Sequence, residues 1–210
     1  MSKTGLQHDP LNIIITGVGG QGNVLLAKIV GRILVKKGFT VTVGDVYGAA
    51  QRGGPIQSHI RISSKDLFSP VTPLGAAHLI ISIEPAEALR AIGNWGNPDV
   101  IVVTNTRPAY PFDVTSGIAT YPDTEEIKKE FKKLTKDYVL VDASDVALEL
   151  GAPVVTNIVM MGALIGTAML PLTQEDCEKE ITEQFADKDY ELNIKAFRKG
   201  INLTSGKLQK

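Results

Sequence analysis

Only one cysteine, Cys177, occurs in 210 residues. A single thiol can form neither an intrachain disulfide nor the four-thiolate shell of an iron–sulfur cluster, so a disulfide-stapled fold and a resident cluster are excluded and a reducing compartment is expected. Charge of one sign is also missing: 22 basic residues face 23 acidic ones, for a net charge of −1. That balance leaves no electrostatic footprint for nucleic acid or an anionic membrane. The basic residues are scattered, apart from an amphipathic segment around Lys128 to Lys136. No apolar run approaches the roughly 20 residues of a membrane span, and the opening Met-Ser-Lys-Thr-Gly-Leu-Gln-His-Asp-Pro has no signal-peptide core. A cytoplasmic protein that binds neither nucleic acid nor membrane is expected. Internal repeats and linkers are absent too, so residues 1–210 read as one domain, with 1–10 and 203–210 as frayed tails.

What is present is concentrated in the first 60 residues. An apolar strand, Asn12 to Thr16, runs into Gly17-Val18-Gly19-Gly20-Gln21-Gly22, and a helix follows from about Asn23 to Lys37. Gly17, Gly19 and Gly22 fit G-x-G-x-x-G in the strand-to-helix context that gives the pattern meaning. Glycines permit the tight turn and a close approach of ligand or backbone, while the first helical N–H groups favour an anion. Asp45 follows Gly22 by 23 residues, where dinucleotide folds place a ribose-binding acid. A stand-alone Rossmann-type NAD(P)- or FAD-dependent oxidoreductase is therefore one reading. Against it stands Tyr47-Gly48-Ala49-Ala50-Gln51-Arg52-Gly53-Gly54-Pro55. Three glycines and a proline there make a shaped loop, not a crossover helix that grasps adenosine. On the bland reading Asp45 is a loop-fixing carboxylate.

Further along, the first helix carries an apolar stripe closed by Lys36-Lys37-Gly38, a basic last turn and a glycine cap. Ile56 to Ser63 alternates at period two, predicting a half-buried strand with Gln57, His59 and Arg61 on one face. Ala77 to Ile83 and Asp99 to Thr104 read as buried parallel strands. Glu84-Pro85 opens a short helix and Asp123 caps another. Ile118 to Tyr121 is expected to be a short strand, and Tyr138 to Asp142 the next. This alternation predicts an α/β fold, a doubly wound, mostly parallel Rossmann-like sheet with a helical C-terminal part. Asn157 to Leu170 is apolar all round, so that helix must be buried by the domain or by another chain. Thr173 and Asp176 are spaced as cap and first-turn acid of a following helix.

The two glycine segments, continued through Ile56-Gln57-Ser58-His59-Ile60-Arg61, resemble the gamma subunit or domain of 2-oxoacid:ferredoxin oxidoreductases, over roughly residues 10 to 200. Glu84-Pro85, Glu87-Ala88-Leu89-Arg90 and Asn105-Thr106-Arg107-Pro108 look most like the small beta subunit of the indolepyruvate type within that family. The resemblance implies an auxiliary subunit of a complex that oxidatively decarboxylates a 2-oxoacid, forms acyl-coenzyme A and reduces ferredoxin. It implies thiamine diphosphate, Mg and [4Fe–4S] clusters in other chains, coenzyme A as co-substrate, and no cofactor held by this chain alone. A Gly-Asp-Gly thiamine signature is absent here.

The implied partners are the thiamine- and cluster-bearing subunits, ferredoxin through the complex, and further copies in a homodimer or higher oligomer. They are expected to meet the glycine-loop face and the apolar helix 157 to 170. The implied site residues are Gly17, Gly19, Gly20, Gln21 and Gly22, read as turn and packing or as contact to an anion or coenzyme A, together with Gln51, Arg52, Gly53 and Gly54. The latter form either a rigid docking loop or a place where Arg52 offers a planar cation. Arg52 and His59 are the catalytic candidates, although a lone strand histidine beside Gln57 and Arg61 is more often a hydrogen-bonded interface residue. Cys177, between Asp176 and Glu178, is expected to be an inert thiol. No metal site is expected.

Overall fold

The computed structural model describes residues 5–48, 53–110, 112–186 and 190–208. Its centre is one six-stranded sheet in the order β2-β3-β1-β4-β5-β6. The strands are β1 (Leu11–Val18), β2 (Thr40–Tyr47), β3 (Pro55–Ser63), β4 (Leu79–Ser82), β5 (Ile101–Asn105) and β6 (Asp137–Val141). β1, β4, β5 and β6 are mutually parallel, and β3 is antiparallel to both β1 and β2. Five strands thus run one way and β3 the other. The mostly parallel α/β class is as expected, but β3 inserts between the first two strands. β2 and β3 form an antiparallel pair instead of successive crossovers, which puts the loop between them at the same end of the sheet as the first glycine turn.

Alternation sorts the central strands between two layers. Ile13 and Ile15 of β1, Leu79 and Ile81 of β4, and Val103 of β5 point to one core, where α1 (Asn23–Lys36) and α6 (Thr156–Gly166) pack. Ile14, Ile80 and Val102 point to the other, against α2 (Pro85–Trp95) and α4 (Thr124–Leu134). The remaining helices are α3 (Phe112–Thr115), α5 (Ala143–Glu149), α7 (Gln174–Gln184) and α8 (Tyr190–Thr204).

Helix ends follow local chemistry. After Lys36, Gly38 (φ 88°) closes α1: the Gly38 amide donates to the Val35 carbonyl at 2.9 Å and the Phe39 amide to Leu34 at 3.1 Å, a Schellman closure that needs a left-handed residue. Glu84 caps α2, with Pro85 at its first position. Asp123 with Glu126, and Thr173 with Asp176, form reciprocal capping boxes on α4 and α7.

Four expectations are corrected. Residues 118–121 form no strand: Ile118 is exposed and Pro122 follows directly, so the segment has no neighbour to pair with. The polar face of β3 is buried, because segment 64–76 lies over it. The Arg61 guanidinium donates to the Ser69 carbonyl and hydroxyl, both at 3.1 Å, and sits 4.8 Å above the Phe68 ring. The apolar helix α6 is covered by its own domain through α8, not left for another chain. A Cβ on Gly162 would come within 2.0 Å of the Phe197 carbonyl, and one on Gly200 within 2.0 Å of Val159's, so the two backbones touch across small residues and Met160, Met161 and Leu164 are fully buried. Finally, the segment from residue 5 packs on the body, with Leu6 in the core and the Ser64 amide donating to Asp9 at 3.2 Å. At the other end Thr204 is buried and donates to the Ala163 carbonyl at 2.7 Å.

Candidate functional site

The carboxyl ends of β1, β4, β5 and β6 meet at one rim, the place where open α/β sheets take ligands. A cavity of about 580 Å³ lies there, between the glycine turn and the starts of α5 and α6. Gly20, Gln21 and Gly22 form one side, and Arg107, Ser144, Thr156 and Asn157 supply its other polar side chains. Leu25 and Ile83 give it apolar walls, and Leu148 and Val154, both exposed, stand at its mouth.

The glycine turn is held by its own residues. A Cβ on Gly17 would meet the Gln21 Oε1 at 2.6 Å and the Asn23 Oδ1 at 2.8 Å. That Gln21 oxygen accepts from the Val18 amide at 2.8 Å, and the Asn23 side chain donates to the Val18 carbonyl at 3.3 Å. Gly20 (φ 101°) has nothing within 4 Å of a virtual Cβ, so its backbone is open to an approaching group. Gly22 (φ 84°) would push a Cβ to 2.4 Å from the Asn157 Nδ2, so close packing against α6 as well as handedness requires glycine. α1 starts there with no side-chain cap and no acid in its first turn, which leaves N–H groups and the positive end of the helix for an anion.

The second glycine segment is joined to the first. The Gly19 amide donates to the Gly54 carbonyl at 2.9 Å; Gly54 is buried and Gly53 (φ 75°) is exposed. Gln51 and Arg52 lie outside the described residues. Asn105, fully buried, ties the strand ends together. Its amide donates to the Ile83 carbonyl at 3.2 Å and to the Ser144 hydroxyl at 2.9 Å, while its oxygen accepts from the Ser144 amide at 3.1 Å. Arg107 follows and lines the cavity, exposed, with Asp145 at 3.8 Å.

His59 is placed elsewhere. It lies in mid-strand beside Ile14 and Gly44, fully buried, and does not line the cavity. Its Nδ1 accepts from the Thr72 amide at 3.3 Å and its ring stands edge-on to Trp95 at 4.9 Å. Burial pushes its pKa down to about 4, so the ring is neutral near pH 7 with its proton on Nε2. Asp45 accepts from the Ser58 hydroxyl at 2.5 Å, and β3 separates it from the glycine turn. It is a strand-fixing carboxylate and is not placed to meet the ribose of a nucleotide seated on Gly17–Gly22.

Arg107, Ser144 and Asn157 were missed by motif reading. Arg107 sits in a proline-flanked segment directly after a buried strand, a position that could have singled it out; nothing local distinguishes the other two. The donor set does not fit an iron–sulfur cluster: Cys177 is wholly inside the core and burial pushes its thiol up to about 12. Among the described residues no three His, Cys, Asp or Glu side chains gather as metal ligands, and no helix is long and apolar enough to cross a membrane.

These features define an α/β domain that offers a glycine-lined cleft at its strand ends without the strand order of a dinucleotide dehydrogenase. The chain belongs to the pyruvate ferredoxin/flavodoxin oxidoreductase family, whose profile matches residues 12–203. It is 39% identical, over 91% of its length and 94% of the relative's, to the indolepyruvate oxidoreductase subunit IorB of Archaeoglobus fulgidus. Its fold matches the keto/oxoacid ferredoxin oxidoreductase gamma subunit of Geobacter sulfurreducens with a TM-score of 0.66 at 19% identity, over 92% of this chain and 98% of that one. It also matches part of the 2-oxoglutarate:ferredoxin oxidoreductase of Magnetococcus marinus, solved with 2-oxoglutarate, coenzyme A and succinyl-CoA bound. That TM-score is 0.73 at 18% identity, over 97% of this chain and 32% of the other.

Proposed function

We propose that this chain is the gamma-type subunit of a cytoplasmic 2-oxoacid:ferredoxin oxidoreductase acting on indolepyruvate or a similar arylpyruvate. In the net reaction the bond between C1 and C2 of the oxoacid breaks to release carbon dioxide. The S–H bond of coenzyme A breaks as a thioester forms between C2 and its sulfur, two electrons pass to oxidised ferredoxin, and the thiol proton is released to solvent. Thiamine diphosphate, Mg and the clusters reside in neighbouring chains, and further copies complete a dimer or higher oligomer.

The observation that carries this reading is the cleft itself, an uncapped helix start and an arginine lining the same apolar-walled cavity. Its chemistry fits a co-substrate that is anionic in one part and apolar along another, as coenzyme A is. Gly20 and Gly22 let backbone approach the phosphates, Arg107 supplies a cation, and Leu25, Leu148 and Val154 line the path of the thiol arm. The joined second glycine loop is the face offered to the thiamine-bearing chain.

Co-expression with a thiamine-dependent large subunit tests the assignment. Indolepyruvate-dependent reduction of ferredoxin should require both chains and coenzyme A. Arg107→Ala should raise the KM for coenzyme A about tenfold with kcat nearly unchanged, as loss of one charge-assisted contact made equally in ground and transition states predicts. A complex indifferent to this chain, or a lone chain purified with a tightly held nicotinamide or flavin, would overturn it.

A further inference from the structure

A second cavity of about 320 Å³ lies on the other face of the sheet, under the same strand ends. The segment between β5 and α3 separates the two: Thr106, Pro108 and Tyr110 line this one and Arg107 the other. The walls are unusually stiff. Pro85, Pro108 and Pro122 each fix a backbone angle, and Tyr121 is pinned by its hydroxyl, which donates to the Glu84 carboxylate and accepts from the Ala86 amide at 3.3 Å.

Glu84 is itself buried and accepts from the Glu87 amide at 2.8 Å and the Ala109 amide at 3.4 Å. One buried carboxylate therefore fixes the start of α2, one aromatic wall and the separating segment. Tyr110 stands edge-to-face on Tyr121, ring centroids 5.1 Å apart and planes at 84°, yet remains 57% exposed. It leaves ring surface free beside the cavity, whose floor is Ile127 and Leu140. Among the described lining residues there is no cation, and the one carboxylate is Asp123.

We infer that this second cavity is a binding site for an uncharged planar aromatic ring of about indole size. Two tyrosines at right angles present an edge and a face, the arrangement aromatic rings prefer in pairing and one an aliphatic ring cannot exploit. Preset proline and tyrosine walls lose little conformational freedom when filled. Asp123 in the lining and Glu84 behind Tyr121 repel a ring that carries its own carboxylate. The cavity is argued from its own lining and its binding test uses the lone chain, whereas the neighbouring subunits in the second arm of that test rest on the function proposed above. The ring's source is either a small arene or an aromatic side chain of a neighbouring subunit.

A ligand-observed NMR titration of indole into the full-length chain is the test. Saturable binding with a Kd on the order of 1 mM or tighter is expected, with benzoate and cyclohexanol each binding at least tenfold more weakly. Tyr110→Ala should weaken indole at least tenfold while lowering the Tm by no more than a few degrees, the loss expected from its ring pair with Tyr121, and Tyr110→Phe should restore both. If a small arene is the natural ring, indole also binds the chain assembled with its neighbouring subunits; if a subunit supplies it, assembly blocks indole. Absence of saturation in the lone chain, equal binding of cyclohexanol, or indifference to Tyr110→Ala would overturn the inference.

Discussion

At the scale of single residues, Gly22 and His59 show how local physics fixes a position that a motif only hints at. Gly22 combines a left-handed backbone with a virtual Cβ 2.4 Å from the Asn157 amide nitrogen. Gly22→Ala should therefore cost about 1–3 kcal/mol in chemical denaturation, and Asn157→Ala in the same chain should recover part of the loss by removing the clash but not the strain. A loss under about 0.5 kcal/mol, the usual range of an uninvolved surface change, would show the turn to be less rigid than described.

His59 gives a pH dependence. Its folded pKa, about 4, lies below the usual value of 6.5, so between the two the unfolded chain binds more protons. Its contribution is fully present above pH 6.5 and is lost as pH falls toward 4. At about 1.4 kcal/mol per pKa unit, the loss is at most about 3.5 kcal/mol. Denaturation midpoints taken from pH 7 to 4 should fall less steeply in His59→Asn than in the natural protein; identical slopes would assign the effect elsewhere, His78 being the nearest rival, since burial and His8 depress it to about 4 as well.

At the scale of elements, the pairing of α6 with α8 is the feature on which the C-terminal half depends. Gly162→Ala would force a methyl group to 2.0 Å from the Phe197 carbonyl, a backbone atom with no rotamer to escape through. It should lower stability by several kcal/mol or abolish soluble expression. Gly93→Ala is the control: it lies in α2 with nothing within 4 Å of a virtual Cβ and should stabilise by about 0.5–1 kcal/mol. A Gly162→Ala protein as stable as the natural one would mean that the helices lie further apart.

What could be read from sequence divides along this same line. Caps at Asp123 and Thr173 and the glycine closure of α1 were legible because their chemistry spans three or four residues. The all-round apolarity of α6 correctly demanded burial. It could not say that α8 provides the cover, because that information resides in Gly200, which has no signal of its own in a single sequence. The insertion of β3 between β1 and β2 was equally hidden, since alternation gives the faces of a strand but not its neighbours. In the site, glycine spacing located the cleft, whereas Arg107, Ser144 and Asn157 reach it from three distant segments that only the folded sheet brings together.

At the scale of the whole molecule, strand order decides which ligands are admitted. With β3 between Asp45 and the glycine turn, NAD, NADP and FAD should leave the Tm of the purified chain unchanged at concentrations where a binder would shift it by several degrees. A nicotinamide-dependent shift that Asp45→Asn removes would contradict the strand order described. The exposed ion pairs joining the end of α1 to α7, such as Lys36 with Glu183 at 2.5 Å and Lys37 with Asp176 at 2.6 Å, are screened by solvent and salt and are minor beside the buried core.

The amide of Gly19 on the carbonyl of Gly54 carries one last consequence. Two loops 35 positions apart in the chain are coupled there as the two arms of a lever are coupled at its pivot. A neighbour that gripped the outer arm would bias the aperture at the inner one, and by reciprocity whatever filled that aperture would bias the neighbour's grip by the same factor.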